Sequence, residues 1–429
     1  MRIGESRHSR AHVDWVLILL VFGLAAFGVL AVSVATFSTS SETEDTLLNY
    51  IVSSYYGQRQ GIFFFVSMVA IGVMMAIPYE LIRRYSMLIY IGACGLLGVA
   101  LAGEAAGVKA WIDIIWGYTL QPSEFVKLAC IVVTAKYLEN TNNPMSTFKE
   151  FIRVGLLVLF PWALTLAQGE MGSVIVMVFV FAVMMFFGGI RYRIIAGVVV
   201  AVVLAISLVL GYALSSGSDS YRLMRILSFI DPSVDEAASY QVSQSKIAIG
   251  SGGWDGIGTF VPGSFSQLDY VPEDWTDFIF STIGEAFGFV GCALVILTYL
   301  AIILRMLYLA MYTHNRFGQM CIIGVMAMML FHVLENVGMT TGLMPVTGIP
   351  LPFLSYGGSN LLTNMVGIGL VLNVVRNRSI THVSEYGTQI YQMPKQSDEK
   401  KKEKAKKFGF GMVSRAIKLN KPKGPETQE

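Results

Sequence analysis

The sequence predicts an all-α, polytopic membrane protein with about ten transmembrane helices, both termini cytoplasmic, and one large extracytoplasmic loop containing short helices. Three observations predict it. Of 429 residues, 54% are hydrophobic and only 14% are charged, where a soluble domain carries roughly 25% charged residues. A chain so poor in charge cannot cover its own surface against water. The apolar residues also gather in runs close to the roughly 20 residues that a spanning helix needs. Finally, Lys and Arg concentrate on alternate connecting segments, the pattern that orients membrane proteins.

The runs lie near 14–36, 60–78, 85–103, 121–138, 151–168, 170–189, 192–213, 278–304, 317–340 and 356–375. The first exceeds the roughly 7–15-residue core of a cleaved signal peptide and many like it follow, so it reads as a retained span. The fourth is the least apolar, and the sixth follows the fifth almost without a loop. With the N-terminus inside, Arg83, Arg84, Lys136, Lys149, Arg153, Arg191, Arg193, Arg305, Arg316 and the basic tail are all cytoplasmic. Outside lie only Arg59, Lys109, Arg222, Arg225 and Lys246, and Lys127 falls within a span. Moving the count by one span scrambles this pattern. Cys94, Cys130, Cys292 and Cys321 sit in apolar stretches without metal-ligand spacing and read as packing residues.

Residues 1–378 thus form the membrane domain, and 379–429 a basic tail too poor in apolar residues to fold, resting on anionic headgroups or simply solvated. The outer loop, about 215–276, is too long for a mere connector. It holds the amphipathic stretch YRLMRILSFI, a break at Asp231-Pro232, and a helix from about Val234 to Ile249 opened by Asp235 and Glu236. A later loop, MPVTGIPLPFLSYGGSNLLTN, has three prolines and no charge. Irregular backbone of this kind survives near a membrane only where protein or a cavity takes it in, which predicts a groove-lining segment. Gly92, Gly95 and Gly98 read as close helix packing.

Signatures of soluble enzymes (P-loop, HExxH, nucleophile elbow) are absent, and nothing marks a nucleic-acid partner. Charges inside spans are costly and so become candidates for function. Glu124 and Lys127 stand one turn apart in the fourth span, where a structural ion pair and a substrate contact are both open. His332 and Glu335, at i,i+3 in the ninth, read as a mutually satisfied polar pair. Glu170 and Glu285 lie near span ends and signal less. Of the carboxylates Asp269, Glu273, Asp274 and Asp277, the last differs because Phe278, Ile279 and Phe280 follow it directly. Partial burial there favours a base, although an aspartate at a helix N-terminus is more often a cap or dipole partner than a catalyst. Arg222, Arg225 and Lys246 are candidate diphosphate ligands, or partners of Asp231 and Asp235.

In order along the chain stand Gly107–Trp111 with QPSEFVKL, QGEMGSVIV, RILSFIDP, QSKIAIGSGG, YVPEDWTDFIFSTIGEAFGFVG and the proline-rich loop. This ordered set, spanning about Trp15 to Arg378, resembles the SEDS family: the RodA, FtsW and SpoVE proteins of bacterial shape, division and sporulation. The resemblance implies a ten-helix protein of the bacterial cytoplasmic (inner) membrane. It implies peptidoglycan glycosyltransferase activity on lipid II, release of undecaprenyl diphosphate, and a class B penicillin-binding protein as partner. The family's essential aspartate falls on Asp277, its tryptophan before the QPSE helix on Trp111, and its buried acid–base pair on Glu124 and Lys127. IAIGSGG and PVTGIPLPF resemble the RodA branch more than the division branch, which implies a role in elongation and rod shape. Two departures stand out. Asp274-Trp275 replaces small or basic residues before TDF, and GEAFG leaves Glu285 without the usual acidic neighbour.

One carboxylate suffices for this chemistry, because a sugar on a diphosphate already has a good leaving group, whereas glycosidases need two carboxylates. No cofactor is required; a divalent cation, Mg²⁺ or Mn²⁺, is compatible with diphosphate departure. Two other classes remain open: a flippase for lipid-linked precursors, its polar path drawn through Glu124, Lys127, His332 and Glu335, and a scaffold that only recruits the transpeptidase.

Overall fold

The computed structural model is mostly helical and describes residues 13–36, 51, 54–103, 110–114, 117–139, 148–190, 193–194, 196–197 and 235–392, with side chains to Asn377. The expected span 192–213 lies almost wholly outside these residues, as does the loop before Asp235. Helices fall on every other expected segment: α1 (Trp15–Ala35), α2 (Tyr55–Ala76), α3 (Tyr79–Arg84), α4 (Ser86–Ala102), α5 (Pro122–Glu139), α6 (Phe148–Gln168), α7 (Met171–Phe187), α8 (Glu236–Ser251), α9 (Ile279–Met311), α10 (Arg316–Thr340) and α11 (Gly358–Gln392). A two-residue ribbon, β1 (Ile112–Asp113) with β2 (Thr119–Leu120), leads into α5. The chain separates into two units, Ala11–Arg378 and Met1–Arg10 with Ser379–Glu429. Of the second, only the backbone of α11 is described, and it continues as helix past Arg378 to Gln392.

The helix starts follow from local chemistry. Asp14 caps α1 by accepting from the Leu17 N–H at 2.9 Å, Ser54 caps α2 through Gly57 N–H at 3.0 Å, and Asp235 caps α8 through Ala238 N–H at 3.1 Å. Pro122 opens α5, where its missing N–H costs nothing. Asp14 also receives Arg305 of α9 at 2.7 Å, tying α1 to α9.

Among the described residues, six helices are long and apolar enough to cross a membrane: α1, α2, α6, α9, α10 and Gly358–Asn377 of α11; α4 and α7 are shorter but apolar. Helix α5 carries Glu124, Lys127, Lys136 and Glu139, yet most of it is buried, packed against α4, α7 and α10. It can be polar because protein, rather than lipid, surrounds it. Helix α10 is the axle of the unit, contacting α5, α7 and α9. Large apolar side chains such as Leu19, Phe65, Leu88, Val99, Phe160 and Leu297 point outward instead, an exterior suited to hydrocarbon. The glycines of α4 belong to that exterior. Gly92, Gly95 and Gly98 are exposed, and a Cβ on any of them meets nothing within 4 Å. Among the described residues no helix packs on that face of α4, so the close packing expected of them is not seen there.

Helix α9 is broken at Gly288, whose φ of 63° and ψ of −161° suit glycine alone. In an unbroken helix the Phe289 and Val290 N–H groups would reach the carbonyls of Glu285 and Ala286. Here the preceding loop takes both halves of each bond. Phe289 and Val290 donate to the Gly253 and Trp254 carbonyls at 2.9 and 3.2 Å, while Ile257 and Gly258 donate to the Glu285 and Ala286 carbonyls at 2.9 and 3.1 Å. The loop is spliced into the helix ladder and gives each of these helix groups the partner that the break took away.

Candidate functional site

A cavity of about 290 Å³ lies where α5, α10, the loop ending at Asp277 and the 341–357 loop meet. Trp111, Glu124, Lys127 and Asp277 line it together, with Gln121, Glu273, Thr276, His332, Tyr356 and Asn360 among their neighbours. Four of the site residues named from sequence thus converge. Lys246 does not join them: it is exposed on α8, with its side chain beside Gly342. It is not among the residues that line the cavity. Arg222 and Arg225 lie outside the described residues.

Glu124 and Lys127 are both about 2% exposed and paired, Lys127 Nζ donating to Glu124 Oε1 at 2.7 Å. The ammonium also meets His332 Nε2 at 3.0 Å. The other ring nitrogen, Nδ1, lies 2.6 Å from the Met328 carbonyl and can only donate there. His332 is therefore the neutral Nδ1–H tautomer, and its Nε2 accepts from Lys127. This corrects the expected His332–Glu335 pair. Glu335 instead accepts from Thr347 at 2.7 Å. Spacing of i,i+3 puts two residues on adjoining faces, but the tertiary partners, Lys127 and Thr347, decide where each turns.

Asp277 is half-buried at the entry to α9. Its backbone carbonyl accepts from Asn336 Nδ2 at 2.7 Å, and the same amide reaches the Ile349 carbonyl at 2.8 Å. Buried Asn336 thereby fastens the Asp277 turn to the proline-rich loop. The Tyr356 N–H adds a second tie, donating to the Trp275 carbonyl at 2.8 Å. Gln60 of α2 holds the same loop through the Ser355 carbonyl at 3.1 Å. Gly348, Ile349 and Pro350 line the cavity, as expected of an uncharged irregular segment. Glu273, also on the wall, has a φ of 60°, a strained setting for a non-glycine residue next to the aspartate.

Behind Asp277 lies a clasp that sequence reasoning undervalued. Glu285 is buried and accepts the Phe265 N–H at 2.6 Å, the Ser266 N–H at 3.1 Å and Ser266 Oγ at 2.9 Å. Asp274 is 1% exposed and its Oδ2 accepts from Thr282 Oγ1 at 3.2 Å. Burial pushes the Asp274 carboxyl well above the usual carboxylate range, the charges of Asp269 and Glu285 push the same way, and hydroxyl bonds from Thr282 and Ser266 oppose them. The two departures from the family pattern, at 274 and beside 285, meet in this one cluster. Asn336 and Asn360 were likewise not singled out; an asparagine in an apolar span was the available signal.

The FtsW/RodA/SpoVE family, described as cell cycle proteins, matches residues 14–380. A probable peptidoglycan glycosyltransferase FtsW of Trichlorobacter lovleyi is 33% identical over 371 residues, 85% of this chain and 93% of that one. The rod-shape-determining protein RodA of Thermus thermophilus superposes with a TM-score of 0.60 at 25% identity, covering 85% of this chain and 97% of its own. A chain from a peptidoglycan synthase complex that coordinates polymerization and crosslinking superposes with a TM-score of 0.69 at 26% identity, covering 85% and 98%. With this agreement of sequence and fold along nearly the whole membrane unit, the chain belongs to the FtsW/RodA/SpoVE family.

Proposed function

We propose that the chain is a peptidoglycan glycosyltransferase of the bacterial cytoplasmic membrane, with ten spans and both termini cytoplasmic, that polymerises lipid II. The observation that carries this reading is the single cavity joining Asp277 to the buried Glu124–Lys127 pair and Trp111. In the reaction the acceptor hydroxyl oxygen attacks the anomeric carbon and its proton passes to Asp277. The bond from that carbon to the phosphate oxygen breaks, and undecaprenyl diphosphate leaves with the electron pair. Attack opposite the leaving group inverts the anomeric centre. Asp277 supplies the base, Glu124 and Lys127 hold substrate polar groups, and Arg222 and Arg225 steady the departing diphosphate. Among the described residues no three His, Cys, Asp or Glu side chains gather to hold a metal. A divalent cation, Mg²⁺ or Mn²⁺, is compatible with diphosphate departure, and the reading does not require one.

The IAIGSGG and PVTGIPLPF stretches favour the elongation branch and rod shape, with FtsW-type division or sporulation as the alternative. A class B penicillin-binding protein is the partner this reading requires, in line with the relative solved within a polymerising and crosslinking complex. The deciding experiment mixes purified protein, its transpeptidase partner and lipid II in detergent, where there are no two sides to move between. Glycan polymer is the expected product. Absence of polymer beside an active control enzyme favours the flippase.

A further inference from the structure

The clasp behind Asp277 holds three polar contacts in a row, and counting their hydrogens leaves one short. Asp274 Oδ2 and Thr282 Oγ1 are 3.2 Å apart, Thr282 Oγ1 and Ser266 Oγ 3.2 Å, and Ser266 Oγ and Glu285 Oε2 2.9 Å. Each contact needs a hydrogen to be a bond, and each hydroxyl carries only one. With both carboxyls ionised, Thr282 gives its hydrogen to Asp274 and Ser266 gives its own to Glu285. The two hydroxyl oxygens then face each other with nothing between them. A proton on either carboxyl completes the row. Glu285 is the poorer place for it, because two backbone N–H groups already converge on that carboxylate, at 2.6 and 3.1 Å. Asp274 has no such donors: it is 1% exposed, and its Oδ1 has no partner. A buried orphan oxygen costs far less on a neutral carboxyl than on an ionised one.

We infer that Asp274 carries a proton shared with Glu285 along the hydroxyl row of Thr282 and Ser266, and that this proton positions the turn bearing Asp277. Protonated, Asp274 donates to Thr282, Thr282 to Ser266 and Ser266 to Glu285, so all three contacts are bonds. Loss of the proton to water reverses the first bond, empties the second and leaves two like charges in one buried cluster. Asp274 stands three residues before Asp277, so the turn loosens when the row breaks. The charges that face Asp274 are Asp269 and Glu285, and among the described residues no ion pair joins any of the three to Lys, Arg or His. Of the surrounding elements, α8 contributes Lys246 beside Gly342, α2 contributes Arg59 over the Tyr55 and Tyr118 rings, and α10 contributes Glu335 bonded to Thr347; none bonds to Asp274. Burial first, and then the two facing carboxylates, raise the Asp274 carboxyl in agreement with the count. Asp274 is a positioning residue, acting through Asp277; only that half of the inference rests on the glycosyltransferase reading.

The test follows infrared absorption and hydrogen exchange of the full-length protein in detergent from acid to alkaline pH. Above about pH 6, where ordinary Asp and Glu are ionised, wild type is expected to keep a protonated-carboxyl band that Asp274→Asn lacks. Asparagine donates to Thr282 at every pH, so protection of amides 265–277 should be constant in that variant. In wild type it should fall about tenfold per unit as pH climbs toward the folded-state pKa, and level off once the band has gone. Ser266→Ala removes the middle of the row and the extra bond of the protonated form, so loss of the band should move down by about one pH unit. This second variant decides the matter if Asp274→Asn fails to fold. Were Ser266 simply a donor to the ionised cluster, the shift would run upward, and that result, or no band, overturns the shared proton. Glycan synthesis should lose an alkaline limb in Asp274→Asn, and a limb that persists overturns the positioning role alone. If wild type makes no polymer, the reaction assignment fails separately, and protection of residues 273–277 still decides whether the proton holds the turn.

Discussion

Glu285 holds Ser266 twice, its Oε2 accepting both the backbone N–H at 3.1 Å and the hydroxyl at 2.9 Å. The contact fastens a loop to the first turns of α9, and through that loop it fixes the approach to Asp277. Glu285→Ala should strand the Phe265 and Ser266 N–H groups, at about 1–3 kcal/mol each. The expected outcome is a lowered unfolding temperature in detergent and new proteolytic cleavage between Gly258 and Asp277, with Glu285→Gln milder on both counts. An unchanged cleavage pattern in Glu285→Ala would show that the loop is held elsewhere.

Removing one member of a buried ion pair leaves the other charge uncompensated, which typically costs roughly 3–5 kcal/mol. Lys127→Met should therefore destabilise strongly, and Lys127→Met with Glu124→Gln should recover most of the loss. Polymer synthesis should stay absent in the double variant. If activity returned with stability, the pair would be structural and its place on the cavity wall incidental.

Asp277→Asn keeps the size of the side chain and removes the base. Membrane abundance and melting temperature should match wild type, while glycan polymer falls by at least two orders of magnitude, the low end of a general base's usual contribution. Retained synthesis removes Asp277 from the mechanism.

The raised carboxyl of Asp274 gives a signed pH dependence. Unfolded, the group titrates near the ordinary aspartate value of 3.8, and folded it titrates higher. Between those two values the folded protein binds the extra proton, so stability is greatest below the unfolded value and declines as pH climbs toward the folded one. Melting curves from acid toward neutral pH should show this decline in wild type. In Asn-substituted protein, Asp274→Asn, the component should vanish; a slope identical to wild type would assign it to another group.

A methyl group at Gly288 would lie 2.4 Å from the Gly256 nitrogen and 2.6 Å from the Trp254 carbonyl oxygen. Gly288→Ala adds backbone strain of about 1–3 kcal/mol to that overlap, so membrane abundance should fall well below wild type. Gly92→Ala, on an open face of α4, is the control and should leave abundance unchanged.

Much of the helical layout could be read from sequence because lipid imposes long apolar runs, and helices fall on those runs among the described residues. Asp277, Glu124, Lys127 and Trp111 were legible for a local reason, since each interrupts or borders such a run within a short motif. Partners brought from elsewhere were not. The contact of His332 with Lys127 joins positions in α10 and α5, and nothing in the ninth span alone distinguishes it from a contact with Glu335. Lys246 carries the right charge, but its direction depends on how α8 packs against α9 and α10. The glycines of α4 show the same limit from the opposite side, because a small-residue stripe suits a packed face and a bare one equally.

The backbone exchange at Gly288 has a consequence for how the molecule is made. The strip 253–258 is translated before the half-helix it completes, and residues 289 and 290 emerge only later. Neither piece can reach its final state alone, so the maturation of that span is a joint event rather than a sequential one. In the finished protein, a force applied to the strip is transmitted straight to peptide groups within the span.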